Sequence, residues 1–402
     1  MSATASPHDV QTGGPLAGRL VIDLSRALAG PHAAMMLADM GARVIKVESP
    51  TGDDSRGWGP PFVDPGDGGT PEATYFLSAN RNKESIVLDL KADDGRDVLT
   101  ALVQRADVLI ENFRPGVLDR LGFSTERLLA LNPALVVLSI TGFGHDGPEA
   151  DRAGYDQIAQ GETGLMSLTG SGPDDPQKVG VPICDLLAGM NGAAGVLAAL
   201  LQRERTGVGQ IVRTSLLAAG ISVHAFQGTR WTVGEDVPRA AGNHHPSIAP
   251  YGMFRCRDGA VQIAVGSGQL WRRLCAAVGV DADDPRFATN DDRVRNRTVL
   301  IAELEATLVA VDTDELLGRM ARAGVPAGRV RSLDEVYASA QVQSQGLTVQ
   351  VDHARLGTVT LPGLPLRFFD SRETETTRTD HAAPPVLNAD GEAVRRWLSD
   401  NS

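Results

Sequence analysis

Arg19-Leu-Val-Ile-Asp-Leu24 and Arg43-Val-Ile-Lys-Val-Glu48 are two short apolar runs, separated by a helical pattern that ends at Gly41. Apolar runs of this length are typical of buried strands. Pro31 suits the first turn of the helix between them, and Gly41 suits its end. The stretch 19–48 therefore predicts a βαβ unit with two parallel strands and a right-handed crossover.

The same alternation continues along the chain. We predict a helix over 93–105 and strands over 85–90, 107–110 and 135–140, so that residues 19–140 form a doubly wound α/β layer. Ligands bind such layers at the carboxyl ends of the strands. The Gly- and Pro-rich segment 52–70 has the size of an active-site loop. No G-x-G-x-x-G follows the first strand and the sequence has no P-loop motif, so neither kind of nucleotide site is predicted.

The character of the chain changes after Gly242. Two strand-like runs flank Arg257-Asp-Gly259 and predict a hairpin, which helical patterns follow. Single helices are expected over 291–310 and 333–345, and a strand over 357–361. The expected domains are a loose tail at 1–16, the N-terminal part of a large α/β domain at 17–215, a linker at 216–241, a small α+β domain at 242–330, and a linker with a C-terminal return to the large domain at 331–402.

Composition limits the function classes. The 402 residues carry a formal net charge of −12 at pH 7, and 42% of them are hydrophobic. The acidic balance argues against nucleic acid or an acidic membrane as a partner. The three Cys lack metal-ligand spacing, and His244 and His245 would point to opposite faces of a strand, so no metal is expected. The start lacks the features of a signal peptide and no apolar run reaches membrane-spanning length, so we expect a cytoplasmic protein.

Asp185 is the candidate reactive residue. It lies in Lys178-Val-Gly-Val-Pro-Ile-Cys-Asp185-Leu-Leu-Ala-Gly-Met190, and a helix of small residues follows it. Two roles fit the local sequence: a cap for a helix that begins at Leu186, or a reactive carboxylate. The two roles are compatible, because a cap would hold a reactive group still.

Several stretches taken together resemble one family, the class III CoA-transferases, also called the CaiB–BaiF or formyl-CoA transferase family. Each stretch alone is common, and their joint order over roughly residues 17–370 carries the resemblance. They are Val21-Ile-Asp-Leu-Ser-Arg-Ala-Leu-Ala-Gly-Pro31, Leu37-Ala-Asp-Met-Gly-Ala-Arg-Val-Ile-Lys-Val-Glu48, Glu111-Asn-Phe-Arg-Pro-Gly116, Leu118-Asp-Arg-Leu-Gly-Phe123, Thr141-Gly-Phe-Gly144, Asp146-Gly-Pro148, Gly154-Tyr-Asp156, Thr206-Gly-Val-Gly-Gln210, Arg286-Phe-Ala-Thr-Asn290 and Gly324-Val-Pro-Ala-Gly328.

The resemblance implies a fold and an activity. The fold would be a Rossmann-like large domain made from N- and C-terminal parts, an inserted smaller α+β domain, and an interlocked homodimer. The activity would be transfer of CoA from an acyl-CoA to a free carboxylic acid, with Asp185 as the nucleophile. Coenzyme A would be a thioester substrate and not a permanently bound cofactor. A carboxylate with the ordinary pKa of about 3.9 is ionised at pH 7 and needs no base to activate it.

The resemblance also implies further site residues. Gly266 and Gly268 would belong to a loop that covers the reacting centre, although Ser267 interrupts its glycine run. Leu28 stands where formyl-CoA transferases carry a glutamine, which argues against oxalate or formate as the acid. Any basic residue of the CoA site could instead be a solvated surface charge. The CoA-binding residues would be Arg26, Ala27, Ala29, Lys46, Arg81, Asn112, Phe113 and Arg120.

Tyr155 separates two activities that the resemblance allows. It stands thirty residues before Asp185, where the related α-methylacyl-CoA racemases have a histidine that moves the α-proton. A phenol is a poor base at neutral pH, so Tyr155 favours CoA transfer over racemisation. Its alternative role is that of a packed, hydrogen-bonded tyrosine. The third possibility is a CoA-binding protein without catalysis, in which Asp185 is only a cap.

Overall fold

The structure, a computed structural model, describes residues 13–400. Most of the expected tail at 1–16 lies outside these residues, and its described end packs on the first helix, where the Leu16 N–H donates to the Met40 carbonyl oxygen (2.9 Å). The strands are β1 (Leu20–Asp23), β2 (Arg43–Glu48), β3 (Phe62–Val63), β4 (Glu72–Ala73), β5 (Lys83–Val87), β6 (Val108–Glu111), β7 (Val136–Thr141), β8 (Ile211–Ser215), β9 (Tyr251–Cys256), β10 (Gly259–Ala264), β11 (Ala327–Arg329), β12 (Thr348–His353) and β13 (Gly357–Pro362).

The helices differ from the predicted pattern in three places, the first of which is the expected linker at 216–241, where the structure has two helices. The helix predicted over 291–310 is two helices, because Asn296 leaves the helical conformation and its side chain bonds to a main-chain carbonyl. The helix predicted over 333–345 also divides. The helices are α1 (Ala29–Asp39), α2 (Thr74–Leu77), α3 (Asp93–Arg105), α4 (Val117–Arg120), α5 (Thr125–Leu131), α6 (Asp156–Glu162), α7 (Leu165–Leu168), α8 (Ile183–Thr206), α9 (Leu216–Ser222), α10 (Ala225–Thr232), α11 (Gly268–Val278), α12 (Asn290–Arg295), α13 (Arg297–Leu308), α14 (Thr313–Ala323), α15 (Leu333–Tyr337), α16 (Ala340–Ser344) and α17 (Gly391–Asp400), with short 3-10 helices at Asp54–Gly57 and Pro285–Phe287.

The central sheet is parallel and has the strand order β5-β2-β1-β6-β7-β8. Numbered along the chain, its strands follow the order 3-2-1-4-5-6, which is typical of Rossmann folds. The predicted doubly wound layer is therefore confirmed, together with its first βαβ unit. The strand order reverses between β1 and β6, and ligands bind in the crevice that opens at such a point, outside the carboxyl ends of the strands.

Helix α8 packs on α1 and on the sheet through small residues. A Cβ atom on Gly189 would lie 2.6 Å from the Ala29 carbonyl oxygen, and one on Gly192 would lie 2.9 Å from the Leu138 side chain. Gly189 therefore brings α8 directly against the start of α1, and Gly192 brings it against β7. By length and composition alone α8 could cross a membrane, contrary to the sequence expectation. A core helix passes the same test, and 44% of the most apolar window of α8 is buried.

Contacts divide the chain into two compact units, and the first contains the central sheet. Among the described residues it comprises 13–163, 179–228 and 340–400. The hairpin β12–β13 belongs to it and packs its Val351 and Leu361 against Leu77. Strands β1, β2, β6 and β7 are almost fully buried, and one apolar cluster joins them to α3 and α5. The same strands also carry buried charged side chains, among them Lys46 and Glu111.

The second unit comprises residues 164–178 and 229–339. The hairpin β9–β10 lies where the sequence predicts it, and β11 adds a third strand beside β10. Its core gathers apolar side chains from the hairpin and from α11, α13 and α14, among them Phe254 and Trp271. The expected small domain at 242–330 lies inside this unit.

Candidate active site

The first turn of α8 carries Asp185, but Asp185 does not cap the helix. Helix α8 begins two residues before it, so the expected role as the cap of a helix starting at Leu186 is wrong. The cap comes from Asp156, the first residue of α6. Its Oδ1 accepts hydrogen bonds from the main-chain N–H groups of Cys184 (2.8 Å) and Asp185 (3.4 Å). Asp156 therefore satisfies donors that every helix start leaves open.

The Asp185 carboxylate is left without a protein partner. Within residues 13–400, no hydrogen bond or ion pair reaches its oxygen atoms. Burial, together with the neighbouring charge of Asp156, raises the pKa of Asp185 to about 7. The carboxylate is therefore less readily ionised at neutral pH than its ordinary pKa of about 3.9 implies.

The loops after β1 and β6 meet where the strand order reverses. The Arg26 N–H donates to Asn112 Oδ1 (2.8 Å), and Asn112 Nδ2 donates to the Arg26 carbonyl oxygen (2.7 Å). The Arg26 guanidinium lies 5.7 Å from the centre of the Phe113 ring. Arg120 is exposed and folds back to within 3.3 Å of the position of a Cβ atom on Gly116. The structure thus brings three of the predicted CoA-binding residues, Arg26, Asn112 and Phe113, together, and shows no contact between them and Arg120.

Ala27 and Ala29 shape the turn into α1. Ala27 has a φ of 64°, in the left-handed region that residues other than glycine rarely adopt. Its N–H donates to Asp53 Oδ1 (3.1 Å). Ala29 is buried and begins α1, and Leu28 before it is buried as well. Such backbone strain persists only where the surroundings impose it, so this loop is held in one shape.

Lys46 supports that loop from below and does not reach a ligand. Its fully buried Nζ donates to the Ser25 carbonyl oxygen (2.9 Å) and pairs with Asp53 (2.8 Å) and Asp23 (3.9 Å). Burial opposes its charge, but the carboxylates of Asp23, Asp53 and Glu48 together outweigh burial and raise the pKa of Lys46. The prediction that Lys46 contacts CoA is therefore wrong. It fixes Asp53, and Asp53 holds the N–H of Ala27.

Arg81 is also used inside the protein. It is 3% exposed, and its Nε donates to Asp39 Oδ1 (2.9 Å) while Nη2 donates to Oδ2. Its Nη1 donates to the Pro362 carbonyl oxygen (2.7 Å). The guanidinium joins the end of α1 to β13 and has no edge left for a phosphate, so the prediction that Arg81 binds CoA is wrong.

Two tyrosines lie near Asp185. Tyr155 directly precedes Asp156 and is 66% exposed, so it is not a packed tyrosine in this chain. Tyr75 was not singled out from the sequence. Burial, followed by the charges of Asp185 and Asp156, raises the pKa of Tyr75 to about 12, which places its phenol near both carboxylates. Trp58 packs edge-on against Tyr75, with ring centres 5.0 Å apart.

The segment from Gly266 to Gly268 lies in the second unit, at the start of α11. Neither glycine has an atom within 4 Å of its Cβ position, so the segment is open there. The Ser267 hydroxyl accepts a hydrogen bond from the Leu270 N–H (3.3 Å) and caps α11. A serine interrupts the glycine run because this position is a helix cap. The covering role of the loop stays a prediction.

The two adjacent histidines pack beside β9. His244 lies edge-on to Phe254, and the His245 N–H donates to the Tyr251 carbonyl oxygen (2.8 Å). In the described part of the chain, no three His, Cys, Asp or Glu side chains are grouped as metal ligands. Both histidines are held by contacts with residues of β9.

The chain resembles known proteins in sequence and in fold. Residues 16–391 match the family described as CoA-transferase family III. A succinate–glutarate CoA-transferase of Agrobacterium fabrum is 44% identical over 353 residues, which cover 87% of this chain and 88% of that protein. The human succinyl-CoA:glutarate CoA-transferase is 35% identical over 395 residues, covering 96% and 89%. A CaiB/BaiF family protein from Brucella suis superimposes with a TM-score of 0.85 at 41% identity, over 96% of this chain and 100% of that one.

Proposed function

The chain belongs to CoA-transferase family III, and from that membership we propose that it moves CoA between short dicarboxylic acids by covalent catalysis on Asp185. As a CoA-transferase, it takes a CoA thioester and a free carboxylate as substrates. The observation that supports the covalent step is the unpartnered carboxylate of Asp185, held at the start of α8 by the Asp156 cap.

The proposed reaction has two symmetrical halves. The Asp185 carboxylate attacks the donor thioester and expels the CoA thiolate, which leaves a mixed anhydride. The thiolate then attacks the Asp185 carbonyl carbon, so that an aspartyl-CoA thioester forms and the donor acid leaves. The acceptor carboxylate attacks this thioester, and the same two steps run in reverse. The energy of the thioester is conserved, and no external base or oxidant is needed.

The surroundings of Asp185 suit this chemistry. A carboxylate whose pKa is near 7 is less stabilised by its surroundings than an ordinary one, which favours attack on a carbonyl carbon. The positive end of the α8 dipole favours the ionised form at the same time. Tyr75 keeps its proton at neutral pH, as an ordinary phenol does, and its raised pKa holds that proton more firmly. Its hydroxyl is therefore a hydrogen-bond donor for a developing oxyanion.

The acid class follows from Leu28 and from the relatives. Leu28 offers no polar group at the start of α1, and named relatives act on succinate and glutarate. We expect succinyl-CoA to donate to glutarate at least about tenfold more efficiently than to oxalate. The second carboxylate of oxalate would lie next to the apolar Leu28, whereas that of glutarate reaches three methylene groups further, and a charge left unmatched in an apolar site costs well over 1.4 kcal/mol. Initial rates with a panel of C2 to C6 dicarboxylates measure this. An oxalate rate equal to the glutarate rate would contradict the proposed class.

Trapping of the intermediate tests the mechanism. The protein is incubated with succinyl-CoA, quenched with hydroxylamine and digested, and the peptide that carries Asp185 is examined by mass spectrometry. Hydroxylamine converts an aspartyl anhydride or thioester to a hydroxamate, which we expect on Asp185 alone. Asp185→Ala is the control. An unmodified Asp185 peptide during turnover sinks the proposed mechanism, and deuterium uptake at the α-carbon of a 2-methylacyl-CoA would favour racemisation instead.

Replacement of Asp156 separates its capping role from its charge. Asp156→Asn keeps an oxygen for the two N–H groups of α8 but removes the negative charge that raises the pKa of Asp185. We expect the acidic limb of the kcat/KM profile to move to lower pH, because Asp185 then ionises more easily. Asp156→Ala removes the cap as well, and we expect it to cost about 1 kcal/mol of stability. Rates between pH 5 and 9 decide; an unmoved acidic limb in Asp156→Asn refutes the assignment.

A further inference from the structure

A second cluster of polar side chains adjoins the loop of Asn112 and Phe113. Glu111, at the end of β6, stands directly before this loop. The strand register pairs Glu111 with Ser139 on β7, and Ser139 with Arg213 on β8, so that the three form one row across the sheet. A cavity of about 220 Å³ opens beside the row. The proposed chemistry at Asp185 uses none of these three side chains.

Hydrogen bonds connect the row to the main chain of the loop. Glu111 Oε1 accepts a hydrogen bond from Ser139 Oγ, and Glu111 Oε2 accepts one from the Phe113 N–H (2.9 Å). His145 Nε2 lies 2.7 Å from Ser139 Oγ. A serine hydroxyl has one proton, so a serine that donates to Glu111 accepts a hydrogen bond from His145. The chain of bonds therefore runs from His145 through Ser139 and Glu111 to Phe113.

The buried carboxylate depends on these partners. Glu111 is 7% exposed, and a buried carboxylate that loses a hydrogen bond is left poorly solvated. Burial raises the pKa of Glu111 and Asp119 adds to the effect, while the bonds from Ser139 and Phe113 and the charge of Arg213 oppose it. Without the Ser139 hydroxyl, Glu111 Oε1 loses its hydrogen-bond donor, and this loss favours a rotation of the carboxylate toward another donor. Its bond to the Phe113 N–H is then disturbed.

The loop of Asn112 and Phe113 connects Glu111 to the crevice. Asn112, between Glu111 and Phe113, holds the main chain of Arg26 by two hydrogen bonds. We infer that Glu111 and Ser139 are positioning residues that set the Asn112–Phe113 loop for CoA, with His145 fixing the Ser139 hydroxyl. They act on CoA affinity and not on the chemistry at Asp185. This inference rests on the proposed function, because that function assigns CoA to this crevice.

Two substitutions of Ser139, to threonine and to valine, test the inference because threonine and valine have the same shape as each other. Ser139→Thr keeps the hydroxyl, and the adjoining cavity leaves room for the added methyl group. Ser139→Val has the same shape without the hydroxyl. We expect the Kd for CoA, measured by titration calorimetry, to rise about tenfold in Ser139→Val and to stay within about twofold in Ser139→Thr. A tenfold change in Kd corresponds to about 1.4 kcal/mol, which is the usual strength of a charge-assisted hydrogen bond. The KM for succinyl-CoA should follow the Kd, with kcat at saturation unchanged.

The outcomes distinguish this inference from the proposed function. Equal CoA affinities in Ser139→Val and Ser139→Thr overturn the positioning role, and so does a fall in kcat without a change in KM. Asp185→Ala gives the opposite pattern under the proposed function, since it loses transfer and keeps CoA binding. If wild-type protein binds CoA but transfers none, the proposed function fails, and the Thr and Val affinities still decide the inference. Melting temperatures of the two variants within a few degrees of each other exclude a folding defect as the cause.

Discussion

Replacement of Asp185 by asparagine is expected to remove CoA transfer, with kcat at least about 10⁴-fold below wild type. The amide is a poor nucleophile, and an aspartyl thioester can no longer form. The side chain keeps its size, so the Kd for CoA should stay within about threefold. Asp185→Ala is the control for slow deamidation of the asparagine back to aspartate. A kcat within tenfold of wild type in both variants would contradict the role of Asp185.

The same substitution is expected to stabilise the protein at alkaline pH. The pKa of Asp185 in the fold is raised to about 7, above that of an unfolded chain. Its contribution to stability is therefore most favourable below about pH 4 and is lost as the pH rises through about 7. Asp185→Asn should raise the free energy of unfolding on the order of 2 kcal/mol at pH 8 and little at pH 4. Urea unfolding at the two pH values measures the difference. Equal changes in the free energy of unfolding at both pH values would contradict a raised pKa of Asp185 in the fold.

Replacement of Lys46 by methionine is expected to cost roughly 3 kcal/mol or more of unfolding free energy. Methionine fills the volume but leaves the carboxylate of Asp53 buried without its cation and removes the donor to the Ser25 carbonyl oxygen. Asp53 then holds the Ala27 N–H less firmly. The variant should therefore also bind CoA more weakly, although Lys46 itself touches no ligand.

Lys91→Met is the matched control for this result. Lys91 is exposed, so its loss should change the unfolding free energy by less than about 0.5 kcal/mol. Urea unfolding of both variants at pH 7 measures the difference. A Lys46→Met variant as stable as Lys91→Met would contradict the account of the buried ion pairs.

The sheet could be predicted from the sequence because its strands are continuous apolar runs. The runs at 19–24, 43–48 and 135–140 each lie within a residue or so of β1, β2 and β7. Strand β12 was missed, although its Thr348-Val-Gln-Val-Asp-His353 alternates apolar and polar residues as a half-buried strand does. Alternation over so few residues is a weak signal without its partner strand, which lies across a turn at 354–356.

The partners of the charged site residues could not be predicted in the same way. Lys46 and Arg81 read as free cations because their carboxylate partners Asp53 and Asp39 come from other elements. Sequence spacing does not reveal such pairs. Similarly, α8 is capped by Asp156, which lies on α6 and stands 28 residues before Cys184 in the sequence. A resemblance can therefore locate the crevice while assigning the wrong role to a residue beneath it.

Some of the residues near Asp185 that the sequence analysis does not name could have been predicted from the sequence. The segment 52–70 was recognised as a loop of active-site size, and Trp58 is its tryptophan. The contact of Trp58 with Tyr75 depends on a chain reversal that composition does not encode. Asp156 lies in the motif Gly154-Tyr-Asp156, in which the type of the tyrosine is what separates the two activities. Asp156 is an aspartate at the first position of one helix, and a second helix start follows it in the chain. This pattern is the sequence signal for its capping role.

The fate of the acceptor's oxygen tests the covalent role of Asp185 most directly. In the proposed reaction, the acceptor carboxylate contributes the bridging oxygen of the second anhydride, and the final attack of the CoA thiolate leaves that oxygen on Asp185. Turnover with ¹⁸O-labelled glutarate and succinyl-CoA should therefore place ¹⁸O in the peptide that carries Asp185, as measured by mass spectrometry after digestion. An Asp185 peptide that stays unlabelled after many turnovers would contradict the account.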